Sequence, residues 1–217
     1  MKKEKKIVVI GGTFNPPTLA HLNLAIEAKN CVDADFVIFV PTKSSYMKNW
    51  KKYQNSDICP DDIRLRMVMT CECEWLKVDT CEIDGIVSGR TYDTIQYIKE
   101  KYHTLEVYFA IGSDKLKEIP RWANSEIFLS TEKFIVMKRN DDDIHAIMEN
   151  DERLSKHINA FVICEMENVY TNCSSTFIRK CLTSKNKADL EKARQLVSKE
   201  VWDILKKGYP CQHKEEI

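Results

Sequence analysis

The sequence predicts an α/β fold, a doubly wound (Rossmann-like) parallel sheet with helices on both faces and a C-terminal helical extension. Two observations support this prediction. Short apolar runs rich in β-branched residues recur along the chain, and such runs are typical of strands that are covered on both faces. Segments with helical periodicity separate these runs, and alternating strands and helices favour right-handed crossovers between parallel strands.

The elements follow from these patterns in chain order, beginning with a first strand that reads KIVVI and a second that reads FVIFV. Strands are expected at Lys6–Ile10, Phe36–Val40, Leu105–Ile111, Phe134–Met137 and Phe161–Cys164. Helices are expected at Leu19–Lys29, Asp61–Cys71, Tyr92–Tyr102 and about Arg121–Leu129. After Thr171 two more helices are expected, at Ser174–Leu182 and Asp189–Lys207, before Gly208 and Pro210 end the pattern.

Length and composition restrict the organisation and the partners of the chain. With 217 residues, 43% of them hydrophobic, it can form one core or a core with a small appendage. We expect one domain over residues 1–210, whose helical part covers 171–210, and a tail at 211–217. Basic and acidic residues number 33 each, so no excess charge attracts nucleic acid or an anionic membrane.

Hydropathy and cysteine usage indicate a soluble, cytoplasmic protein. The early apolar run Ile7–Ile10 is too short for an export signal, and no later run approaches the roughly 20 residues of a membrane helix. The nine cysteines are scattered without a Cys-x-x-Cys pair, which fits reduced thiols best. Cys71 and Cys73 with Cys81, or Cys211 with His213, lack the usual spacing of zinc ligands. We expect no metal held by protein side chains.

The first candidate site is the segment Gly11–His21, directly after the first predicted strand. Gly11 and Gly12 allow a tight turn that brings backbone N–H groups against a phosphate. Thr18 can cap the next helix, and His21 lies in its first turn, where anions are favoured. An ordinary strand-to-helix turn with a surface or core histidine is the alternative. The segment is neither a Walker loop nor the three-glycine dinucleotide fingerprint.

The second candidate site is the segment Cys173–Arg179, at the start of a late predicted helix. Ser174, Ser175 and Thr176 supply hydroxyl and backbone N–H groups to an anion. Arg179 follows one turn later and shares their face of the helix. The alternative is an ordinary serine cap beside a solvated arginine.

Both segments resemble motifs of a nucleotidyltransferase superfamily that includes pyridine-nucleotide, pantetheine-phosphate and glycerol-phosphate transferases. The first matches Gly-x-Phe-x-Pro, then His or Thr, two residues, and His. It departs from the commonest bacterial nicotinate-mononucleotide pattern at Thr18, where His is usual, and at Ala20, where Gly is usual. The second matches Ile-Ser-Ser-Thr-x-Ile-Arg, with Cys173 in place of the first Ile. Two such motifs in the right order carry the superfamily assignment.

A third block of residues, from Gly112 to Trp122, restricts the class of substrate that the chain can accept. Asp114 follows a predicted strand beside Gly112, where a carboxylate can accept hydrogen bonds from ribose hydroxyls, and the Trp122 indole can stack on a pyridine ring. A half-buried core aromatic is the equal alternative for Trp122. The stretch resembles the Ile-Gly-x-Asp, Leu, Trp block of pyridine-mononucleotide adenylyltransferases, which the pantetheine-phosphate enzymes lack.

Further similarity to that family extends from Ile7 to about Tyr209. It includes Ser88–Thr94, which resembles the nicotinate-side Thr-x-Asp-Thr segment, Arg64 with Met67, and Arg139. The similarity is weakest over Lys43–Asp57, where Lys48 takes the place of a lysine that the family has after its second strand. That stretch is rich in Lys, Asn and Ser, a composition that favours a solvated loop.

The resemblance implies adenylyl transfer from ATP to nicotinate mononucleotide, with Mg²⁺ held by the phosphates, giving the dinucleotide and pyrophosphate in NAD biosynthesis. It implies catalytic roles for His21, Thr18 and Arg179. It implies ATP contacts at Gly11, Gly12, Thr13, Phe14, His21, Gly112, Asp114, Ser174, Ser175, Thr176 and Arg179. It implies mononucleotide contacts at Thr13, Phe14, Asn15, Lys48, Thr91, Asp93, Trp122 and Arg139.

Several alternatives remain open at the level of sequence. The chain could transfer an adenylyl or cytidylyl group to another phosphorylated substrate, or act as a non-catalytic nucleotide sensor. Asn15 with Thr18 resembles the Phe-Asn-Pro-x-Thr segment of eukaryotic enzymes that accept both nicotinate and nicotinamide mononucleotide. Nicotinamide mononucleotide is therefore kept as a second candidate substrate. Homo-oligomerisation is also open. A nucleic-acid-binding module lacks support, because no basic stripe with interleaved aromatics is present.

Overall fold

The computed structural model describes residues 4–46, 58–138, 142–165, 173–184 and 186–208. Its centre is a six-stranded sheet in the order β3-β2-β1-β4-β5-β6, and every neighbouring pair is parallel. The strands are Ile7–Gly12 (β1), Phe36–Pro41 (β2), Leu76–Val78 (β3), Val107–Gly112 (β4), Lys133–Lys138 (β5) and Phe161–Glu165 (β6). The predicted doubly wound α/β fold is confirmed.

The α-helices that lie wholly within the described ranges cover both faces of this sheet. They are Leu19–Cys31 (α1), Asp61–Met69 (α2), Thr91–Tyr102 (α3), Ser113–Leu116 (α4), Ser125–Thr131 (α5), Ile144–Glu149 (α6), Glu152–Lys156 (α7), Ser175–Thr183 (α8), Lys187–Gln195 (α9) and Lys199–Gly208 (α10). Single 3₁₀ turns occur at Ile119–Arg121 and Ile158–Ala160. No helix among the described residues is long and apolar enough to cross a membrane.

The order of the strands places the switch point of the sheet between β1 and β4. From β1 the chain builds β2 and β3 outward on one side, and then returns to build β4, β5 and β6 on the other. β1 and β4 pair in register from Ile7 opposite Val107 to Val9 opposite Phe109. In open α/β sheets a crevice forms beyond the carboxyl ends of the strands at such a point. Here that crevice lies beyond Gly12 and Gly112.

The central strand is apolar on both faces because both faces are covered. Ile7 and Val9 are fully buried in a cluster that includes residues of α3 and α5. Val8 and Ile10 point to the opposite cluster, which includes residues of α1. Burying an aliphatic side chain of this size stabilises the fold by about 1.5–3 kcal/mol. This two-sided burial explains the continuous KIVVI pattern.

The C-terminal helices pack on α2 and form a third cluster. Its buried members include Met67 of α2, Ile178 of α8, and Val201 and Leu205 of α10. The next residue of α2, Val68, belongs to the cluster on the sheet. Helix α2 is therefore held from two sides, between the sheet and the C-terminal helices.

Three predictions about individual elements were wrong. The strand β3 was missed because it has only three residues, too few to show a pattern. The helix expected from Arg121 begins at Ser125, because Asn124 adopts a left-handed backbone with φ 61°. The helix expected over Asp189–Lys207 is two helices, α9 and α10. The Ser198 hydroxyl accepts from the N–H of Val201 and starts the second of these.

Candidate active site

The loop between β1 and α1, residues 13–18, is shaped by the buried ring of Phe14. This residue has a positive φ of 44°, a conformation that is uncommon for a residue with a bulky side chain. Its ring lies so close to Gly12 that a Cβ there would be 3.1 Å from it, so a side chain at this position would crowd the ring. The ring also packs against Phe39, with centroids 4.7 Å apart, and against His21, at 5.3 Å.

The imidazole of His21 is oriented by Thr18. The backbone N–H of Thr18 donates to His21 Nδ1 at 3.1 Å, and the Thr18 hydroxyl lies 2.8 Å from the same nitrogen. Since a backbone N–H can only donate, Nδ1 must accept, and the neutral ring carries its proton on Nε2. Thr18 directly precedes α1, as expected, and is only 2% exposed. In this structure its hydroxyl contacts the histidine ring.

The two motifs found in the sequence meet in space. The Ser175 hydroxyl donates to the carbonyl of Pro16 at 2.8 Å. The Arg179 guanidinium donates to the carbonyl of Asn15 at 2.9 Å and to the Thr176 hydroxyl at 3.1 Å. The start of α8 is therefore attached to the β1–α1 loop by two side chains of the second motif, Ser175 and Arg179.

Residues around this junction stabilise it. Ser174 caps α8, because its side chain accepts from the N–H of Phe177 at 3.1 Å. The N–H of Leu19, at the start of α1, donates to the carbonyl of Leu196 at 2.9 Å. The C-terminal helical region thus accepts a hydrogen bond from the first residue of α1.

Asn15 anchors the loop from within. Its side chain is 2% exposed, and its amide oxygen accepts from the backbone N–H of Cys59 at 3.1 Å. The peptide bond between Asn15 and Pro16 is cis. The expected contact between this side chain and a mononucleotide must therefore coexist with a structural role in the loop.

The end of β4 contributes a second set of polar groups to the crevice. Gly112 is the last residue of β4, and Asp114 is exposed in the first turn of α4. Between them, the buried Ser113 donates its hydroxyl hydrogen to Asp142 at 2.6 Å. This bond connects the switch point to the segment that follows β5, a connection that the sequence did not indicate.

Trp122 belongs to the aromatic core and remains partly exposed. Its ring centroid lies 6.2 Å from that of Phe109 and 6.2 Å from that of Phe128. Tyr92, in the first turn of α3, contacts the same Phe128 ring at 6.1 Å. Trp122 therefore packs on the core while part of its surface is accessible, and its contact with a pyridine ring stays a prediction.

The segment around Thr91 starts α3 next to this aromatic group. Thr91 is its first residue and is partly exposed. Asp93 accepts a hydrogen bond from the Ser88 hydroxyl. Thr94 is buried and donates to Glu82 at 2.9 Å. Of the other expected site residues, Lys48 and Arg139 lie outside the residues that the structure describes.

The described cysteines are free thiols. Burial raises the pKa of Cys71 to about 11 and also raises the pKa of Cys81, so neither forms a thiolate readily at neutral pH. Among the described residues, no three His, Cys, Asp or Glu side chains converge as metal ligands. The second suggested pair, Cys211 and His213, lies outside these residues.

Comparisons with known proteins agree with this geometry. A cytidylyltransferase-like family model, of the nucleotidyltransferase class, matches residues 9–181. A probable nicotinate-nucleotide adenylyltransferase of Clostridium acetobutylicum is 31% identical over 208 residues, covering 94% of this chain and 98% of the relative. One from Fusobacterium nucleatum is 31% identical with the same two coverages. The chain therefore belongs to the nicotinate-nucleotide adenylyltransferase family.

A solved structure supports the fold. Nicotinic acid mononucleotide adenylyltransferase of Plasmodium falciparum, complexed with APC, superposes with a TM-score of 0.70 at 22% sequence identity. The match covers 94% of this chain and 95% of that one. The similarity extends over nearly the whole of both folds, including the C-terminal helices.

Proposed function

We propose that this protein transfers the adenylyl group of ATP to nicotinate mononucleotide and releases pyrophosphate, a step of NAD biosynthesis. The observation that carries the proposal is the junction of the β1–α1 loop with the start of α8 beside the switch point. Relatives that carry the name of this activity align over almost their whole length. The P. falciparum enzyme complexed with NaAD has the same fold, at a TM-score of 0.69.

The phosphates of ATP would bind where the two motifs meet. Backbone N–H groups of Gly12, Thr13 and Phe14 would face the reacting phosphates, next to the glycine at position 11. Ser174, Ser175 and Thr176 at the start of α8, together with Arg179, would hold the outer phosphates, since the N-terminus of a helix favours an anion. The guanidinium is already held beside the loop by its bond to Asn15.

His21 would donate from Nε2 to the α-phosphate region and stabilise the charge that develops there. The bond from Thr18 supports this role, because it keeps Nδ1 as an acceptor and leaves the proton on the other nitrogen. The attacking group is the phosphate of the mononucleotide, which is already ionised, so the protein needs no general base. Alignment of the two substrates and charge stabilisation would supply the rate enhancement.

The pyridine mononucleotide would bind on the other side of the crevice. Trp122 would stack on the pyridine ring, with Thr91 and Asp93 nearby at the start of α3. Asp114 would accept hydrogen bonds from ribose hydroxyls of ATP beside Gly112. Lys48 and Arg139 remain candidates for the phosphate of the mononucleotide.

Magnesium would enter the site together with ATP. The ion would be held by phosphate oxygens of ATP. Bound there, it would supply positive charge to the departing pyrophosphate. The side chains of His21 and Arg179 would add cationic or hydrogen-bonding donors to the same oxygens.

The test is pyrophosphate release by the purified protein with ATP and Mg²⁺, comparing nicotinate and nicotinamide mononucleotide. Turnover with nicotinate mononucleotide is expected, and the ratio of the two kcat/KM values measures the preference for acid or amide. CTP in place of ATP should give little product. A folded protein that binds ATP but turns over neither mononucleotide would contradict the proposal and direct the assay to other phosphorylated acceptors.

A further inference from the structure

Arg64 is a fully buried arginine that connects two loops at the edge of the crevice. It lies on α2 with a relative exposure of 0%. One terminal nitrogen donates to the carbonyl of Thr13 at 2.6 Å, and the other donates to the carbonyl of Thr42 at 2.6 Å. A buried guanidinium is costly unless its donors are satisfied. Both terminal nitrogens of Arg64 are satisfied and hold the two carbonyls, whereas its buried Nε has no hydrogen-bond partner among the described residues.

The charge of Arg64 is balanced by Asp61, one turn earlier on the same helix. The second terminal nitrogen of Arg64 lies 2.5 Å from the Asp61 carboxylate. That carboxylate also accepts from the backbone N–H of Ser44 at 3.1 Å and from the Ser44 hydroxyl. Burial alone would raise the pKa of Asp61, but the hydrogen bonds from Ser44 and Arg64 outweigh it and lower the pKa below its ordinary value.

These contacts link the two substrate sides of the crevice. Thr13 belongs to the β1–α1 loop on the ATP side, whereas Thr42 and Ser44 follow β2. Two residues further on, the Tyr46 ring lies so close to Gly89 that a Cβ there would be 3.4 Å from it. Gly89 belongs to the segment that leads into α3 on the mononucleotide side.

The helix that carries the pair is itself fixed. Met67 packs against the C-terminal helices and Val68 against the sheet, both with 0% exposure. The loop after β2 is attached to the end of β1 by one more bond, from the N–H of Thr42 to the carbonyl of Gly12 at 2.9 Å. A rigid helix therefore presents Arg64 and Asp61 to both loops at a fixed distance.

We propose that Arg64 and Asp61 form a positioning clamp that sets the spacing between the ATP-side loop and the segment after β2. The clamp touches neither substrate. It fixes the relative placement of the two reactants, on which in-line attack depends. The inference rests on the proposed adenylyl transfer and adds to it a pair of residues that act through backbone carbonyls.

A positioning role differs measurably from a purely structural one. If the pair only stabilised the fold, its loss would lower the melting temperature, and the folded fraction would keep normal kinetics. If it sets the alignment of the substrates, each substrate still binds to its own loop while the reaction slows. A misplacement of about 1 Å between reacting groups can cost about 100-fold in rate.

The experiment compares Arg64→Met, Arg64→Lys and Asp61→Asn with two matched controls. Arg66→Met and Asp62→Asn change exposed residues of the same type on the same helix. For each protein the melting temperature is measured, and kcat and both KM values are determined well below it by pyrophosphate release. The double variant Arg64→Met with Asp61→Asn tests whether the two residues act as one unit.

We expect Arg64→Met to lower kcat by about 100-fold with each KM changed less than about fivefold, because alignment and not binding is lost. The kcat of Arg64→Lys should lie between those of Arg64→Met and the native chain, because the lysine side chain cannot reach three acceptors at once. Asp61→Asn should lower kcat by about tenfold, and the double variant should be no slower than Arg64→Met alone. Both controls should keep native kinetics.

The outcomes separate the clamp from the function on which it rests. An inactive native protein would contradict the adenylyl transfer itself. An active native protein whose folded Arg64 and Asp61 variants keep kcat within about twofold would overturn the clamp alone. If Arg64→Met does not fold, the kcat values of Arg64→Lys and Asp61→Asn test the clamp instead. Arg64→Lys preserves the charge, and Asp61→Asn preserves the shape of the side chain.

Discussion

The proposed ATP side and the proposed mononucleotide side of the crevice are built in different ways. On the ATP side, backbone groups of one short loop and the start of one helix meet through direct hydrogen bonds, from Ser175 to Pro16 and from Arg179 to Asn15. On the mononucleotide side, Trp122 and the start of α3 are brought together by packing on Phe128. A phosphate requires convergent N–H donors, which local motifs supply, whereas a ring requires a surface, which only tertiary packing supplies.

The largest effect is expected from His21 on the ATP side. Replacing it with alanine removes the Nε2 donor, so kcat should fall by about 100- to 1,000-fold while both KM values change only a few-fold. Pyrophosphate release under saturating substrates measures this. The control is His145→Ala, at an exposed position of α6. If His21→Ala raised the KM values and left kcat intact, the histidine would be a binding group only.

Arg179 should show a smaller effect divided between binding and turnover. Arg179→Lys keeps the charge but loses the fork that bonds both Asn15 and Thr176. We expect the KM for ATP to rise about tenfold and kcat to fall by a similar factor. Arg194→Lys, whose native side chain is 61% exposed, is the matched control. Unchanged kinetics with ATP would remove Arg179 from the phosphate site.

Trp122 tests the proposed mononucleotide side of the crevice. Trp122→Phe preserves an aromatic ring against Phe109 and Phe128 but reduces the stacking surface. The KM for the mononucleotide should rise about three- to tenfold, and the KM for ATP should stay constant. Titration of each substrate at a fixed saturating level of the other distinguishes these results. Equal changes in both KM values would mean that the two sides are not separable.

The smallest expected effect is on stability and depends on pH. Since the folded state lowers the pKa of Asp61, its ionised form stabilises the protein at pH 7. This contribution should be fully present above the ordinary pKa of about 4 and disappear as the pH falls through the lower, folded value. Urea unfolding of the native chain and Asp61→Asn at pH 7 and pH 3 measures it.

The difference in stability between these two proteins should therefore shrink at pH 3. The matched variant Asp62→Asn, changed at an exposed position, should show no such trend. A difference that stays constant or grows towards low pH would contradict the assigned ionisation of Asp61.

Sequence reasoning succeeded where the physical signal is local. Strong apolar runs predicted five of the six strands, and the glycine loop and the serine-rich helix start were both recognised as candidate phosphate-binding segments. It failed where the signal is distributed. The three residues of β3 carry no periodicity, and Asp189–Lys207 kept a helical pattern across a break that Ser198 causes.

The burial of Arg64 shows the same limit. An arginine on a predicted helix is usually exposed. The sequence near Arg64 does not indicate that the carbonyls of Thr13 and Thr42 accept its hydrogen bonds. Only the family resemblance pointed to this residue. The Ser113 bond to Asp142 also joins residues from two different strand ends, which a linear pattern cannot reveal.

The attachment of α8 to the β1–α1 loop has a consequence for the timing of synthesis. The loop leaves the ribosome more than 150 residues before Ser175 and Arg179, and the Leu196 carbonyl follows later still. Domains generally fold as units during synthesis. The junction of the two segments can thus form only after both have left the ribosome. Activity should appear abruptly, when almost all of the described chain is available.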